Sequence, residues 1–319
     1  MRCFITGVAG FVGSHLAERL LADGHEVCGL DAFTSYYPRK FKEWNLEGPR
    51  SWQRFRFVKA NILTADLPEL LEGVDWVFHQ AAQPGVRTSW GNEFGQHIDC
   101  NLIATRALLE AALRSSNVKR FVYASSSSVY GNTTLPAQED APLHPASPYG
   151  ITKLAAEQLC TLYHRNFGLP SVSLRYFTVY GPRQRPDMAF HRFCTSILER
   201  RPIVIYGDGE QTRDYTYISD IVEANILAAT SEQITGEVMN IGGGTRASLH
   251  DVIRLLQEIS EVPVSVDFAL QQPGDVLHTF ADTGRARRLI GYQPGVALRE
   301  GLARQFEYFS RHHRPLLID

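Results

Sequence analysis

Residues 3–13 read C-F-I-T-G-V-A-G-F-V-G, a β-rich run that breaks into three regularly spaced glycines, Gly7, Gly10 and Gly13. A helical pattern, G-S-H-L-A-E-R-L-L-A (13–22), follows at once, and a second β-rich run, E-V-C-G-L-D (26–31), follows that. Glycines at a strand–helix junction permit a tight turn, close approach of a pyrophosphate to the backbone, and close packing of helix on sheet. The helix N-terminus adds N–H donors and a positive dipole. Phe11 and Val12, between the second and third glycines, belong to the same turn. The spacing is G-x-x-G-x-x-G rather than G-x-G-x-x-G, so the turn carries weight only with its context.

Outward from this turn the same rhythm continues: F-R-F-V-K-A (55–60), W-V-F-H-Q-A-A (76–82), a helical stretch from Asn101 to Arg114, and R-F-V-Y-A-S (120–125). Strands alternating with helices imply right-handed crossovers and a parallel sheet covered on both faces. The expected fold is therefore α/β, a Rossmann-type doubly wound parallel sheet in residues 1–178. Beyond about 178 the pattern breaks up at G-P-R-Q-R-P (181–186) and G-D-G-E-Q (207–211), and E-V-M-N-I-G-G-G (237–244) reads as a strand returning to the sheet. Residues 179–319 are expected to form a smaller, discontinuous α/β substrate lobe, with a segment near 213–244 rejoining the first domain.

A 319-residue chain with 44 % hydrophobic and 21 % charged residues has the composition of an ordinary globular protein. A formal net charge of −2 leaves no basic footprint for nucleic acid, and no basic helix suggests a membrane surface. The five cysteines, Cys3, Cys28, Cys100, Cys160 and Cys194, contain no C-x-x-C pair and read as reduced. No metal site is expected. The opening M-R-C-F-I-T-G reads as a buried strand, too short in its apolar run for a signal segment, which points to a cytoplasmic protein.

Asp31 ends the second strand 24 positions after Gly7, where an acid can bind the adenosine ribose hydroxyls of NAD and repel a 2′-phosphate. Arg39, Lys40 and Lys42 nearby keep NADP as the minority reading. Asn61 and Ile62 follow the third strand and could edge the adenine. Ala81 and Ala82 follow the fourth and offer small side chains where a cofactor would cross.

Y-G-I-T-K (149–153) puts Tyr149 and Lys153 on one face of a helix if Ser147 is the N-cap and Pro148 the first position. An ammonium one turn from a phenol, with a nicotinamide ribose between, lowers the phenol pKa and makes Tyr149 a usable base. Tyr149 follows Ser126, in A-S-S-S-S-V-Y-G (124–131), by 23 positions.

Taken together, T-G-V-A-G-F-V-G, H-Q-A-A, S-S-S-S-V-Y-G, Y-G-I-T-K, R-Y-F-T-V-Y-G-P-R, T-R-D-Y-T-Y-I-S-D and N-I-G-G-G stand in an order that resembles the extended short-chain dehydrogenase/reductase family, in its nucleotide-sugar epimerase and dehydratase branch. The resemblance covers essentially the whole chain. It implies a tightly held NAD that oxidises a sugar C4 hydroxyl, with Tyr149 as base, Lys153 orienting the ribose and Ser126 hydrogen-bonded to O4. In the similar dehydratases an Asp-Glu pair follows that hydroxyl, and in uronate decarboxylases a Glu precedes V-Y-G. Here Ser127 and Ser128 stand instead, which implies epimerisation.

The stretch G-P-R-Q-R-P-D-M-A-F (181–190) resembles the segment after the catalytic lobe of UDP-glucuronate 4-epimerases. A guanidinium fork binds a carboxylate through two parallel hydrogen bonds, so Arg185 with Thr178, Ser127 and Ser128 is expected to cradle a C6 carboxylate; the alternative for both arginines is to cap the loop or pair with Asp187, which is the reading preferred for Arg183. The resemblance further assigns Arg213 and Arg192 to the diphosphate, Asp275 to a ribose and Arg87 to the loop beside the sugar. The expected activity is interconversion of UDP-glucuronate and UDP-galacturonate by a homodimer paired through helices 101–114 and 149–165. The alternatives are a neutral UDP-hexose (UDP-glucose) 4-epimerase and a non-catalytic NAD-binding regulatory protein.

Overall fold

The structure is a computed structural model describing residues 1–312. Strands and helices alternate through its first part: β1 Arg2–Thr6, α1 Phe11–Ala22, β2 Glu26–Asp31, α2 Arg39–Arg50, β3 Phe55–Lys59, the single turn α3 Leu67–Leu70, and β4 Trp76–His79. A helical run then passes through α4 Phe94–His97, a π-helical stretch Ile98–Ile103 and α5 Ala104–Arg114, before β5 Arg120–Ser126, α6 Pro148–Phe167 and β6 Ser171–Tyr176. The remainder supplies β7 Thr178–Tyr180, α7 Ala189–Leu198, β8 Ile203–Tyr206, β9 Thr212–Tyr217, α8 Ile218–Thr230 and β10 Val238–Ile241. Last come β11 Arg246–Ser248, α9 Leu249–Ser260, β12 Val266–Ala269, α10 Gly284–Ile290 and α11 Leu298–His312.

Seven strands pair in the order β10-β6-β5-β4-β1-β2-β3, and every pair is parallel. The expected doubly wound sheet is therefore present, and its strand order reverses at β1, where the carboxyl ends of the strands open a crevice. Every residue of β4 and β5 is buried, because helices cover both faces. Leu16, Ala17 and Leu20 of α1 join one core cluster, and Leu108, Leu109, Ala156 and Cys160 of α5 and α6 join the other.

β10 lies at the sheet edge beside β6. β9 instead pairs with β7 and β11 in a three-stranded sheet, so only the later part of the stretch 213–244 returns to the main sheet. The helix read from Asn101 begins earlier, at Phe94, and Asn101 falls inside its π-helical stretch. A period of 3.6 residues does not reveal a wider turn, which is where such helices frequently carry functional groups. All five cysteines are unpaired.

Between β5, β6 and α6 lies a buried ion pair. Arg175 of β6 donates through Nε to Glu157 Oε2 at 2.9 Å and through Nη2 to Oε1 at 2.7 Å, with side-chain exposures of 3 % and 0 %. Ser125 of β5 donates to Glu157 Oε2 at 2.6 Å, and Arg175 Nη1 donates to the Tyr130 hydroxyl at 2.7 Å. Tyr130 in turn donates to Asn240 of β10 at 2.7 Å. Removing one partner leaves a buried, uncompensated charge, so Glu157→Leu should cost about 3–5 kcal/mol in a denaturant titration, while Glu157→Leu/Arg175→Met should recover most of it. Equal losses in the single and double variants would show that the pairing is not what matters.

Candidate active site

The crevice at the carboxyl ends of the parallel strands is a cleft of about 640 Å³. At its base, Gly7 takes φ +69°, and a Cβ there would sit 2.8 Å from the backbone of Ala81. A Cβ on Gly13 would sit 2.3 Å from the Gly7 carbonyl oxygen. Both glycines are thus required by close backbone approach, while Gly10 is the N-cap residue of α1. Gly7, Gly10, Phe11, Val12 and Gly13 all line the cleft, presenting a helix N-terminus to it.

Asp31 closes one end of the cleft and is buried. Its carboxylate accepts from the Ala9 N–H at 3.2 Å and the Phe33 N–H at 2.8 Å, and Lys42 Nζ stands 3.6 Å away. Lys42 also donates to Thr34 Oγ1 at 3.3 Å, and Arg39 donates to Glu43 at 2.8 Å. Lys40 lies over the Trp44 ring at 5.9 Å. The three cations near Asp31 thus have protein partners of their own. Asn61, Ile62, Ala81 and Ala82 line the same half of the cleft.

The part of the cleft expected to carry the chemistry is built where β5 meets α6. Ser147 caps α6 by accepting from the Gly150 N–H at 3.1 Å, and Pro148 opens the helix, which sets Tyr149 and Lys153 on the cleft side. Ser126 ends β5, donates to Ser128 Oγ at 3.1 Å and accepts from the Ser128 N–H at 3.1 Å. Burial pushes the Tyr149 phenol up, opposed by its hydrogen bond with Ser126 and by the Arg185 guanidinium. Lys153 donates to the Ala124 carbonyl and lies 4.5 Å from the Tyr123 ring centroid. Burial lowers its pKa to about 7, with Cys160 and Glu157 acting in the opposite direction.

Ser127, Ser128, Thr178, Arg185 and Arg192 line the same cleft. Arg183 leaves it: its Nη2 donates to both Glu18 oxygens, at 2.7 and 2.8 Å, as expected of a loop-holding arginine. Arg185 lines the cleft but also donates to Asp187, so its fork is shared. Arg87 Nη2 donates to Asp275 at 2.7 Å, linking the loop after β4 to the second lobe across the cleft. Arg213 is not among the cleft-lining residues. Its Nη1 donates to the carbonyls of Thr212 and Leu277, at 3.0 and 2.9 Å, which ties β9 to the Leu277 segment.

Several residues at or beside the cleft were missed in the sequence. Tyr206 of β8 lines the cleft with the Arg87 guanidinium 4.2 Å and the Arg192 guanidinium 5.4 Å from its ring centroid. Gln211 donates to the Tyr206 carbonyl at 2.8 Å. Asn101, in the π-helical stretch, accepts from the Gln83 N–H at 2.7 Å and donates to Thr152 Oγ1 at 3.0 Å. Thr152 donates to the Tyr149 carbonyl at 2.8 Å, so Asn101 braces the first turn of α6. A polar residue inside the apolar run N-L-I-A-T was the available hint; Tyr206 and Gln211 offered none beyond the adjacent Gly-Asp-Gly turn.

Residues 3–242 match the NAD dependent epimerase/dehydratase family. The chain belongs to this family. It is similar to an uncharacterised UDP-glucose epimerase of Bacillus subtilis, 47 % identical over 97 % of this chain and 98 % of that protein. It is 37 % identical to the UDP-glucuronate 4-epimerase of Thermodesulfobacterium geofontis, over 94 % of this chain and 93 % of that protein. The crystal structure of the UDP-glucuronic acid 4-epimerase from Bacillus cereus, in complex with UDP-glucuronic acid and NAD, superimposes with a TM-score of 0.95. That comparison covers 98 % of this chain and 99 % of that one at 44 % identity.

The residues at the base of the cleft fit the NAD of this family: glycines that leave no room for a Cβ, a helix N-terminus for a pyrophosphate, and a buried acid at the β2 end. Because Asp31 is negative and Lys42 is already beside it, the protein should bind NAD in clear preference to NADP. Comparable affinities in parallel titrations would show that a cation here reads the 2′-phosphate. A second expectation concerns pH. With the phenolate as base, activity should rise as pH approaches the Tyr149 pKa. Ser126→Ala removes an interaction that lowers that pKa, so the rising limb of kcat/KM should move to higher pH. An unmoved limb would mean that Ser126 does not tune the phenol.

Proposed function

We propose that the chain is an NAD-dependent 4-epimerase of a UDP-uronic acid, interconverting UDP-glucuronate and UDP-galacturonate. The observation that carries this reading is the set of side chains that lines the cleft with Tyr149: three neutral hydroxyls, Ser127, Ser128 and Thr178, together with the Arg185 guanidinium. The UDP-glucuronic acid bound by the B. cereus relative supports it. NAD supplies acceptance and return of a hydride at the sugar C4. Tyr149 takes the O4 proton and later returns it, Ser126 hydrogen-bonds O4, and Lys153, one turn along α6, orients the nicotinamide ribose.

Oxidising C4 of a glucuronyl sugar gives a β-keto acid, which loses CO2 readily when the C5–C6 bond lies parallel to the carbonyl π system. An epimerase has to keep that bond near the carbonyl plane while the keto-sugar turns between two poses. Ser127, Ser128 and Thr178 are neutral donors to the carboxylate, and Arg185 adds charge-assisted hydrogen bonds. Residues 1–178, with the returning part of 213–244, serve NAD, and 179–319 serve the nucleotide sugar. There Arg192 is assigned to the diphosphate, Asp275 to the ribose and Arg87 to the sugar loop, while Arg213, held on the Thr212 and Leu277 carbonyls, would have to release them to reach the diphosphate. The Arg87–Asp275 pair then exchanges partners when substrate enters.

The neutral-hexose reading, UDP-glucose 4-epimerisation, is favoured by the name of the B. subtilis relative and by Asp187, which already neutralises Arg185. A non-catalytic NAD-binding role is opposed by the presence of Tyr149, Lys153 and Ser126 together at the cleft. Among the described residues no helix is long and apolar enough to cross a membrane, and the free cysteines suit a reducing cytoplasm. Ile151 and Leu162 of α6 are 53 % and 49 % exposed. Eleven positions apart on one face, they support a homodimer through α5 and α6.

A panel of UDP-uronates and neutral UDP-hexoses, with products resolved by epimer and by loss of CO2, tests the assignment. Wild type should require the C6 carboxylate and retain it. Arg185→Ala should weaken UDP-glucuronate binding or turnover and leak part of the flux to a decarboxylated 4-keto-pentose. Preference of wild type for UDP-glucose, or an unaltered uronate activity in Arg185→Ala, would replace this reading with the neutral-hexose one.

A further inference from the structure

The fork of Arg185 has a protein carboxylate on one edge. Nε donates to Asp187 Oδ1 at 3.0 Å and Nη2 donates to Oδ2 at 2.9 Å. Tyr36, from the loop between β2 and α2, donates its hydroxyl to the same Oδ2 at 3.4 Å. All three residues line the cleft. The Arg185 and Asp187 side chains retain 23 % and 31 % exposure, so the pair sits on the cleft wall and not in the core.

A planar guanidinium offers two edges to a bidentate acceptor: the side edge, Nε with one Nη, and the end edge, formed by the two Nη groups. Asp187 takes the side edge, which leaves the end edge for a second carboxylate. Against the upward push of burial, the Arg185 guanidinium and its hydrogen bonds hold the Asp187 carboxyl below its usual range. The pair therefore carries no net charge at neutral pH. A carboxylate arriving at the end edge finds directed N–H donors but meets the repulsion of Asp187 across the guanidinium.

We propose that Asp187 is the positioning residue that sets the carboxylate preference of this enzyme: it orients Arg185 with its end edge toward the C6 carboxylate and weakens that grip by its own charge. The proposal rests on the carboxylate cradle argued above. A sugar that must let go and turn between oxidation and reduction gains nothing from a stronger hold on one pose, because uniform binding lowers KM without raising kcat. Asp187 is the compromise between recognising a uronate and releasing it.

The test compares dissociation constants of UDP, UDP-glucose and UDP-glucuronate for the NAD-loaded full chain, in wild type, Asp187→Asn, Asp187→Glu and Arg185→Ala. Removing one charge beside the guanidinium should tighten UDP-glucuronate relative to UDP on the order of tenfold in Asp187→Asn. UDP and UDP-glucose should be unmoved, and kcat for the uronate should fall together with KM. Asp187→Glu keeps the charge and should hold the ratio near wild type. Unchanged UDP affinity certifies an intact site in each variant. An unchanged or lowered UDP-glucuronate preference in Asp187→Asn, or an equal shift in Asp187→Glu, overturns the role of Asp187. If Arg185→Ala also leaves the preference unchanged, the cradle itself fails, an outcome distinct from failure of the Asp187 assignment alone.

Discussion

A guanidinium and a carboxylate, Arg175 and Glu157, lie side by side in the interior behind the strand that ends in Ser126. Neither charge could remain there alone, since an unpaired buried ion costs several kcal/mol. The pair therefore binds β6 to α6, and the Ser125 hydroxyl and Tyr130 extend the bond network to β5 and toward β10. Glu157 is one turn beyond Lys153, which is one turn beyond Tyr149. The ion pair thus fixes the helix that carries Tyr149 and Lys153 against the strand that carries the hydroxyls.

On the cleft side of that framework the chemistry depends on opposing influences. Burial raises the Tyr149 phenol and lowers the Lys153 ammonium, so both are drawn toward their neutral forms. Ser126 and Arg185 pull the phenol back. Arg185 thus acts on the phenol while its own fork is shared with Asp187. The same economy appears at the other end of the cleft, where Asp31 anchors the glycine turn through Ala9 and pairs with Lys42.

The hydroxyl run 125–128 illustrates how one segment can divide its functions. Ser125 faces inward to Glu157, Ser126 and Ser128 bond one another at the cleft, and Ser127 lines the cleft beside them. Alternation along β5 sends consecutive side chains to opposite faces, and the short 3-10 turn Ser127–Val129 then ends that alternation. Four chemically identical residues therefore occupy structural and functional positions by geometry alone.

The sequence by itself determined the parallel sheet, the glycine turn, the cap and start of α6, and the grouping of Ser126, Tyr149 and Lys153. These follow from local rules: hydrophobic period, glycine where a backbone must approach, Ser-Pro at a helix start, and residues four apart on one face. The tertiary structure alone decided which charges meet. Asp187 stands two positions from Arg185 and was a partner the sequence offered, but that Arg185 and not Arg183 takes it, that Arg87 bridges to Asp275 over 188 positions, that Arg213 turns to carbonyls off the cleft wall, and that Asn101 sits in a wider turn bracing the first turn of α6 were not legible in the chain. The reason is physical. Backbone propensity acts over a few residues and leaves a period to be read, whereas the partner of a long, flexible cation is set by whichever acceptor the packed lobes bring within hydrogen-bonding reach.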